Sequence, residues 1–240
     1  MLFDLHMHSR FSIDALSKPK TIVSTCKNLG IGFSLTDHNN MDAYKGQNNI
    51  KKLAKRAGVF LIPGEEIKVF ENSGEKEGVR GNNEKKKIAG EVVAYFLQKP
   101  IAPATFEEVL DLVHAEGALL SCPHPFDWPR KNFGQFPKLW KKFDCMETYN
   151  ARAYYRGLNK KAQKFSERSE VSGNIACLGV SDAHTPEEIG NGLTEINAGN
   201  EEEFRKEIKK CRTKAIPNAK AKFWHHFQTQ LAKRDWMKER

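Results

Sequence analysis

Short apolar, strand-like runs alternate with helix-like segments along almost the whole chain, and nearly every run ends in His, Asp or Glu. The strand-like runs cover residues 2–9, 32–38, 59–70, 92–97, 118–125, 144–149, 175–184 and 193–198. Between them, the segments 18–29 (closed by Gly30), 41–57, 105–115, 152–170 and 201–211 read as helices. Such alternation over one domain's length predicts an α/β fold with a parallel sheet, open or closed into a barrel. In a barrel, functional side chains gather where the strands end.

The polar residues at those ends are of one chemical kind. His6 and His8 stand two apart, so in a strand both imidazoles leave the same face, and Asp14 lies just beyond. The second run ends in Asp37 and His38, the third carries Glu65 and Glu66, and Glu91 precedes the fourth. His124 ends the fifth run, and Asp182 and His184 end the seventh. Five of the eight histidines thus sit at strand ends, whereas His114 lies in a helix and His225 and His226 lie near the C-terminus. Converging carboxylates and imidazoles need countercharge, and mixed N/O ligation suits divalent Zn, Mn or Fe. Gly-rich phosphate loops, a GxSxG elbow and a Cys-His nucleophile pattern are all missing from the sequence.

Composition narrows the class. The 240 residues are 39% hydrophobic, enough for one large domain, and no apolar run approaches the roughly 20 residues of a membrane span. Cys26, Cys122, Cys145, Cys177 and Cys211 are odd in number and form no CxxC pair. They read as small core residues in a reducing compartment. The chain enters its first strand without the basic and apolar regions of a signal peptide, so the expected location is cytoplasmic.

The net charge of +9 is unevenly spread: residues 212–240 hold eight Lys/Arg against two Asp/Glu. The expected division is a barrel domain over 1–211 and a basic C-terminal helix over 212–240. Phe223, Phe227 and Leu231 form one helical stripe, with Trp224 and Trp236 at its edges. That stripe is expected to dock on the barrel wall and leave Lys220, Lys222, Lys233, Arg234 and Lys238 in solvent. A basic tail is also a candidate contact for nucleic acid. Segment 71–87, mostly charge, Gly and Asn, reads as a mobile surface loop.

The segments LHMHSRFSIDA, SLTDHNN, PGEEI, CPHPF and GVSDAHTPEEIG, in that order, resemble the PHP superfamily, the polymerase and histidinol phosphatase metallo-phosphoesterases. The resemblance runs from residue 2 to about 198 and leaves segment 71–87 and the tail unexplained. It implies a distorted (βα)7, TIM-like barrel with up to three metals at its mouth. Carried over, one metal would take His6, His8, Glu66 and Asp182, a second Glu66, Glu91 and His124, and a third Asp14, His38 and His184. Strand phase alone leaves Glu65 and Glu66 open; the family's Gly-x-Glu spacing selects Glu66. Glu91 and Asp14 stand where some members have His, which tilts the sites towards harder ions such as Mn or Mg. Asp37 fits either a hydrogen-bonding partner of a ligand or a turn cap.

The activity implied is hydrolysis of a phosphomonoester, a small phosphorylated metabolite or a nucleotide, by hydroxide bridging two metals through Glu66. Asp182 and His184 are candidates to carry protons, and Arg10, Arg130 and Arg152 are candidates to hold substrate phosphate. The competing readings are a nuclease that trims nucleic-acid ends and a non-catalytic module stapled by metals.

Overall fold

The structure, a computed structural model, describes residues 1–46, 49–71, 87–219, 221 and 223–238. Its elements run β1 (Leu2–Asp4), α1 (Pro19–Leu29), β2 (Gly32–Leu35), α2 (Ile50–Ala57), β3 (Leu61–Phe70), β4 (Ile88–Tyr95), β5 (Ala104–Thr105), α3 (Phe106–Ala115) and β6 (Leu119–Cys122). They continue with α4 (Phe136–Leu139), β7 (Cys145–Asn150), α5 (Arg156–Ser166), β8 (Ala176–Val180), β9 (Gly192–Ile196), α6 (Glu201–Lys209), β10 (Thr213–Pro217) and α7 (Phe223–Lys238).

Local chemistry sets several of these bounds. Pro19 opens α1, where a missing N–H costs nothing, and Gly30 closes it in the left-handed conformation at φ 66°. Thr105 caps α3 through a capping box with Glu108. The helix expected over 41–57 is instead a 3-10 turn at Asp42–Tyr44 followed by α2, whose N-cap is Asn49. Gln47 and Asn48 lie outside the described residues, as does most of segment 71–87.

The strands form one sheet in the order β10-β9-β1-β2-β3-β4-β6-β7-β8, with β5 paired to β3. It is not all parallel: β4 runs antiparallel to both β3 and β6, and β9 runs antiparallel to β1 and β10. A parallel neighbour needs a crossover, usually helical, and segment 71–87 carries no helical pattern. The chain turns back instead, with Glu71 N–H donating to the Lys87 carbonyl at 2.8 Å. β4 therefore starts at the end of the sheet where β3 finishes.

Closure occurs at two levels. At one end β8 packs on β9, and a side chain on Gly179 or Gly192 would collide with the facing backbone of Leu193 or Val180. At the other end the chain beyond β1 meets the chain beyond β8 directly, through a parallel bridge between Met7 and Ala183. The result is a nearly closed barrel. Apolar clusters hold α1 and α2 to β2, and α3, α4 and α5 to β3, β4, β6 and β7. In a third cluster, Phe204 of α6 packs edge-on against Phe3 and Phe96. Cys122 and Cys145 are buried members of these cores, and all five cysteines are free.

The 212–240 region departs from its expected form. Its first residues build β10, inside the barrel sheet, so the expected boundary after residue 211 falls within the domain. Among the described residues, no helix is long and apolar enough to cross a membrane.

Candidate metal centre

The strand ends bring His6, His8, His38, Glu66, Glu91, His124, Asp182 and His184 to one mouth, with Asp14 beside them. Backbone pairing fixes this edge: Asp182 N–H donates to the His6 carbonyl at 2.8 Å, His8 N–H to Ala183 at 2.8 Å, and Glu66 N–H to Asp37 at 3.2 Å. Asn39, His124 and Asp182 adopt left-handed backbone at φ 53°, 31° and 56°. For non-glycine residues this costs on the order of 1–3 kcal/mol each, strain of the kind that clusters at functional sites.

Glu66 is the hub. Its oxygens lie 3.4 Å from both His6 Nε2 and His8 Nε2, 3.0 Å from His38 Nδ1 and 3.3 Å from His124 Nε2. Glu65 points the other way and accepts the Ile101 N–H at 2.8 Å. Glu91 reaches the mouth because β4 is antiparallel, which puts the start of that strand beside the end of β3.

Among the described residues, three groups have ligand atoms within 4.8 Å of one another: His6, His8 and Asp182; Glu66, Glu91 and His124; and His8, His38 and His184. Asp14 Oδ1 stands 3.5 Å from His38 Nε2 and 3.7 Å from His184 Nε2.

The electrostatics fit divalent cations. His6 and His8 face each other Nε2 to Nε2 at 3.1 Å, a contact that an imidazole N–H on one ring, or a cation taking both lone pairs, would satisfy. Burial disfavours charge on His6, yet Asp182, Glu66 and Glu147 hold its pKa well above the usual imidazole value. His8 is pushed down to about 4 by burial and by His38, so it stays a neutral donor. Despite their burial, Asp182 and Glu66 are held well below the usual carboxylate range, chiefly by Arg130 and by His6 respectively. Asp14 Oδ1, Glu66 Oε2, Asp182 Oδ1 and His124 Nδ1 are buried without a hydrogen-bond partner. Each such atom costs on the order of 1–3 kcal/mol unless something else satisfies it. A divalent cation bound among the carboxylates would satisfy several of these oxygens at once.

Outer hydrogen bonds aim the donors. His6 Nδ1–H donates to Glu147 at 2.6 Å, which leaves Nε2 facing the mouth. His184 Nδ1–H donates to the Asp182 carbonyl at 2.8 Å, with the same consequence. Asn150 Nδ2 bridges Glu147 at 2.8 Å and Asp182 at 2.9 Å. Asp37 accepts the Ser9 amide, the Ser9 hydroxyl and the Ser12 hydroxyl, and Ser12 Oγ lies 3.3 Å from His8 Nδ1. Asp37 thus acts on His8 through Ser12, whereas a turn cap was the other reading. Glu147, Asn150, Ser9 and Ser12 went unnoticed in the sequence. Glu147 is an isolated acid inside the apolar run of β7, and that was the one available signal.

The three arginines separate. Arg130 pairs with Asp182 Oδ2 and lines a cavity of about 250 Å³ above the floor. Arg10 is exposed, lies over the Phe11 ring and does not line that cavity. Arg152 reaches the cavity edge, but its guanidinium is committed: Nη1 donates to Glu188 at 2.6 and 2.7 Å, and Nη2 donates to Thr229 at 3.1 Å. It is a buried strut. Lys131 and Lys233 join Arg130 in the cavity wall.

Several known proteins are similar to this chain. A family model described as the PHP domain matches residues 4–221. An uncharacterized protein of Methanocaldococcus jannaschii is 30% identical over 205 residues, covering 82% of this chain and 71% of the relative. Two solved structures share the fold at 14% identity. One, a candidate metal-dependent phosphoesterase from Bifidobacterium adolescentis, has a TM-score of 0.54 and covers 76% of this chain and 87% of its own. The other, an amidohydrolase from Chromobacterium violaceum with bound sulfate and no metal, has a TM-score of 0.56 and covers 96% of both chains. With most of its length matched by the family model and its strand-end donors gathered at one mouth, this chain belongs to the PHP domain family.

Proposed function

We propose that this chain is a metal-dependent hydrolase of small phosphomonoesters. The observation that carries the reading is the floor of the mouth. There His6 and His8 oppose Nε2 to Nε2 at 3.1 Å, beside unpartnered oxygens of Glu66 and Asp182. His6, His8, Glu66 and Asp182 would hold one divalent ion; Glu66, Glu91 and His124 a second; Asp14, His38 and His184 a third. Ions bound there supply charge neutralisation for a phosphoryl group and lower the pKa of water.

The chain's own residues then have defined tasks. Glu147 and the Asp182 carbonyl fix the tautomers of His6 and His184. Arg130, braced on Asp182, points a guanidinium at the cavity, where a phosphoryl oxygen would accept from it. His184 is buried beside Arg152 and its pKa lies well below the usual imidazole value, so it suits a neutral donor better than a proton carrier. No cysteine competes as nucleophile: burial pushes the Cys122 and Cys145 thiols well up, and inert thiols follow.

The cavity favours a small substrate over a nucleic-acid strand, since about 250 Å³ is near the lower end for small-molecule sites. The test is release of inorganic phosphate from a panel of phosphomonoesters by metal-stripped protein, before and after adding Mn, Zn or Mg. Activity that returns with metal supports the reading. Hydrolysis of no phosphoester under any metal would refute it.

A further inference from the structure

Helix α7 lies beyond the segment matched by the family model, yet it borders the cavity: Thr229, Gln230 and Lys233 line it together with Arg130, Asp14 and His184. Among its described side chains, the large apolar ones face outward and a hydroxyl faces inward. Trp224, Phe227 and Leu231 are 61%, 45% and 41% exposed, while Thr229 is 2% exposed. Phe227 and Leu231 of the stripe expected to dock on the barrel therefore face outward; the side chains of Phe223, Trp236 and Lys238, and residues Lys220 and Lys222, lie outside the described part. A helix attached only for packing would bury Phe227 and Leu231, because burying each is worth about 1.5–3 kcal/mol.

Polar bonds hold α7 in this orientation. Arg152 clamps Thr229 to Glu188. The approach to the helix is stapled as well. Tyr149 Oη donates to the Ala219 carbonyl at 2.8 Å, Ala219 N–H to Asn191 at 2.8 Å, and Ala221 N–H to Ala151 at 3.1 Å. Glu188 also accepts from the His184 and Thr185 amides, both at 3.0 Å, so the loop that carries His184 and the helix share one anchor.

We propose that α7 is a wall of the substrate cavity and that Lys233 on it contacts the anionic group of the bound substrate. This inference rests on the proposed phosphoesterase reading for the identity of that anion. Arg130 is partly neutralised by Asp182, and Lys233 on α7 adds a second cation to the cavity wall, where its charge also acts on Asp14. A point-like ammonium there strengthens binding more than it sorts geometry. The wall also keeps the mouth small, which suits a monomeric phosphoester.

The test uses the full chain. Lys233→Met should raise KM for a small phosphomonoester about 10-fold, with kcat held within about 3-fold, and Lys233→Arg should recover most of the loss. The paired change Phe227→Ser with Leu231→Ser, on the outward face, should leave both constants unchanged. Independently of turnover, millimolar inorganic phosphate should slow amide hydrogen exchange in α7, and Lys233→Met should abolish that protection. Unchanged KM and exchange in Lys233→Met would overturn the inference, as would a larger effect from the Phe227/Leu231 pair. If no phosphoester is hydrolysed but phosphate still protects α7 through Lys233, the anion site stands and the proposed reaction falls. If hydrolysis is normal in Lys233→Met, the reverse holds.

Discussion

The floor of the mouth and its rim are built by different physics. On the floor, strand ends carry the donors. His6, Glu66 and Asp182 are wholly or almost wholly buried, and backbone ladders set their spacing. On the rim, Lys131 and Lys233 come from a loop and from α7, and single polar contacts such as Arg152 to Thr229 hold the parts together. A ladder places a side chain by many cooperative bonds, whereas a strut places it by one or two. The floor should therefore tolerate little change and fail in chemistry. The rim should fail in stability and substrate affinity.

The largest expected effect is on the floor. Glu66→Ala removes the carboxylate shared by four imidazoles and should lower kcat/KM by about 1,000-fold or more while depleting bound metal. Glu65→Ala, on the other face of β3, should keep metal and most activity. Equal losses in the two variants would erase the distinction between the faces of that strand.

On the rim, Arg152→Met leaves Glu188 buried without its cation. Unfolding free energy from denaturant titration should fall by about 3–5 kcal/mol, with hydrogen exchange quickening first in α7. A uniform change across the chain would argue against a local strut.

A middle case joins the regions. Glu147→Gln keeps the shape but weakens the hold on the His6 tautomer and on Asn150, so activity should drop about 10- to 100-fold at saturating metal. Steady-state kinetics with metal titration checks this, and activity at the parent level would show that Glu147 is only filling space.

The smallest effect is a pH slope away from the mouth. Burial raises the Glu65 carboxyl to about 7, above its ordinary 4.5. The folded chain holds that proton longer than the unfolded chain, so Glu65 costs stability as pH rises from 4.5 through 7. Glu65→Gln does not titrate; its stability relative to the parent should rise by about 2–3 kcal/mol between pH 4.5 and 8. Parallel curves for variant and parent would contradict this.

How much was legible in the sequence follows the same division. The strands that carry His6, Glu66, His124 and Asp182 could be read because each is an apolar run with a local period, and their donors form ordered motifs. The direction of β4 could not be read, since an antiparallel neighbour and a parallel one carry the same alternation. Glu147 was hidden because nothing local separates a buried acid that orients a histidine from one at a strand edge. The outward placement of Phe227 and Leu231 on α7 is not legible from spacing. Spacing reports which residues share a face, and the preference for burying Phe227 and Leu231 was overridden by Arg152 and Glu188, far away in sequence. Arg152 is a candidate for substrate phosphate in the sequence because proximity to a strand end does not reveal a partner 36 residues on.

The most direct test of the central claim is elemental analysis of the full chain, purified without chelator or metal-affinity resin and assayed in parallel for phosphomonoester hydrolysis. The floor geometry predicts about two or more divalent ions per chain in the parent, a loss of at least one in Glu66→Ala, and activity that tracks the metal content. Folded protein that hydrolyses phosphoesters with less than about one ion per chain would contradict the account.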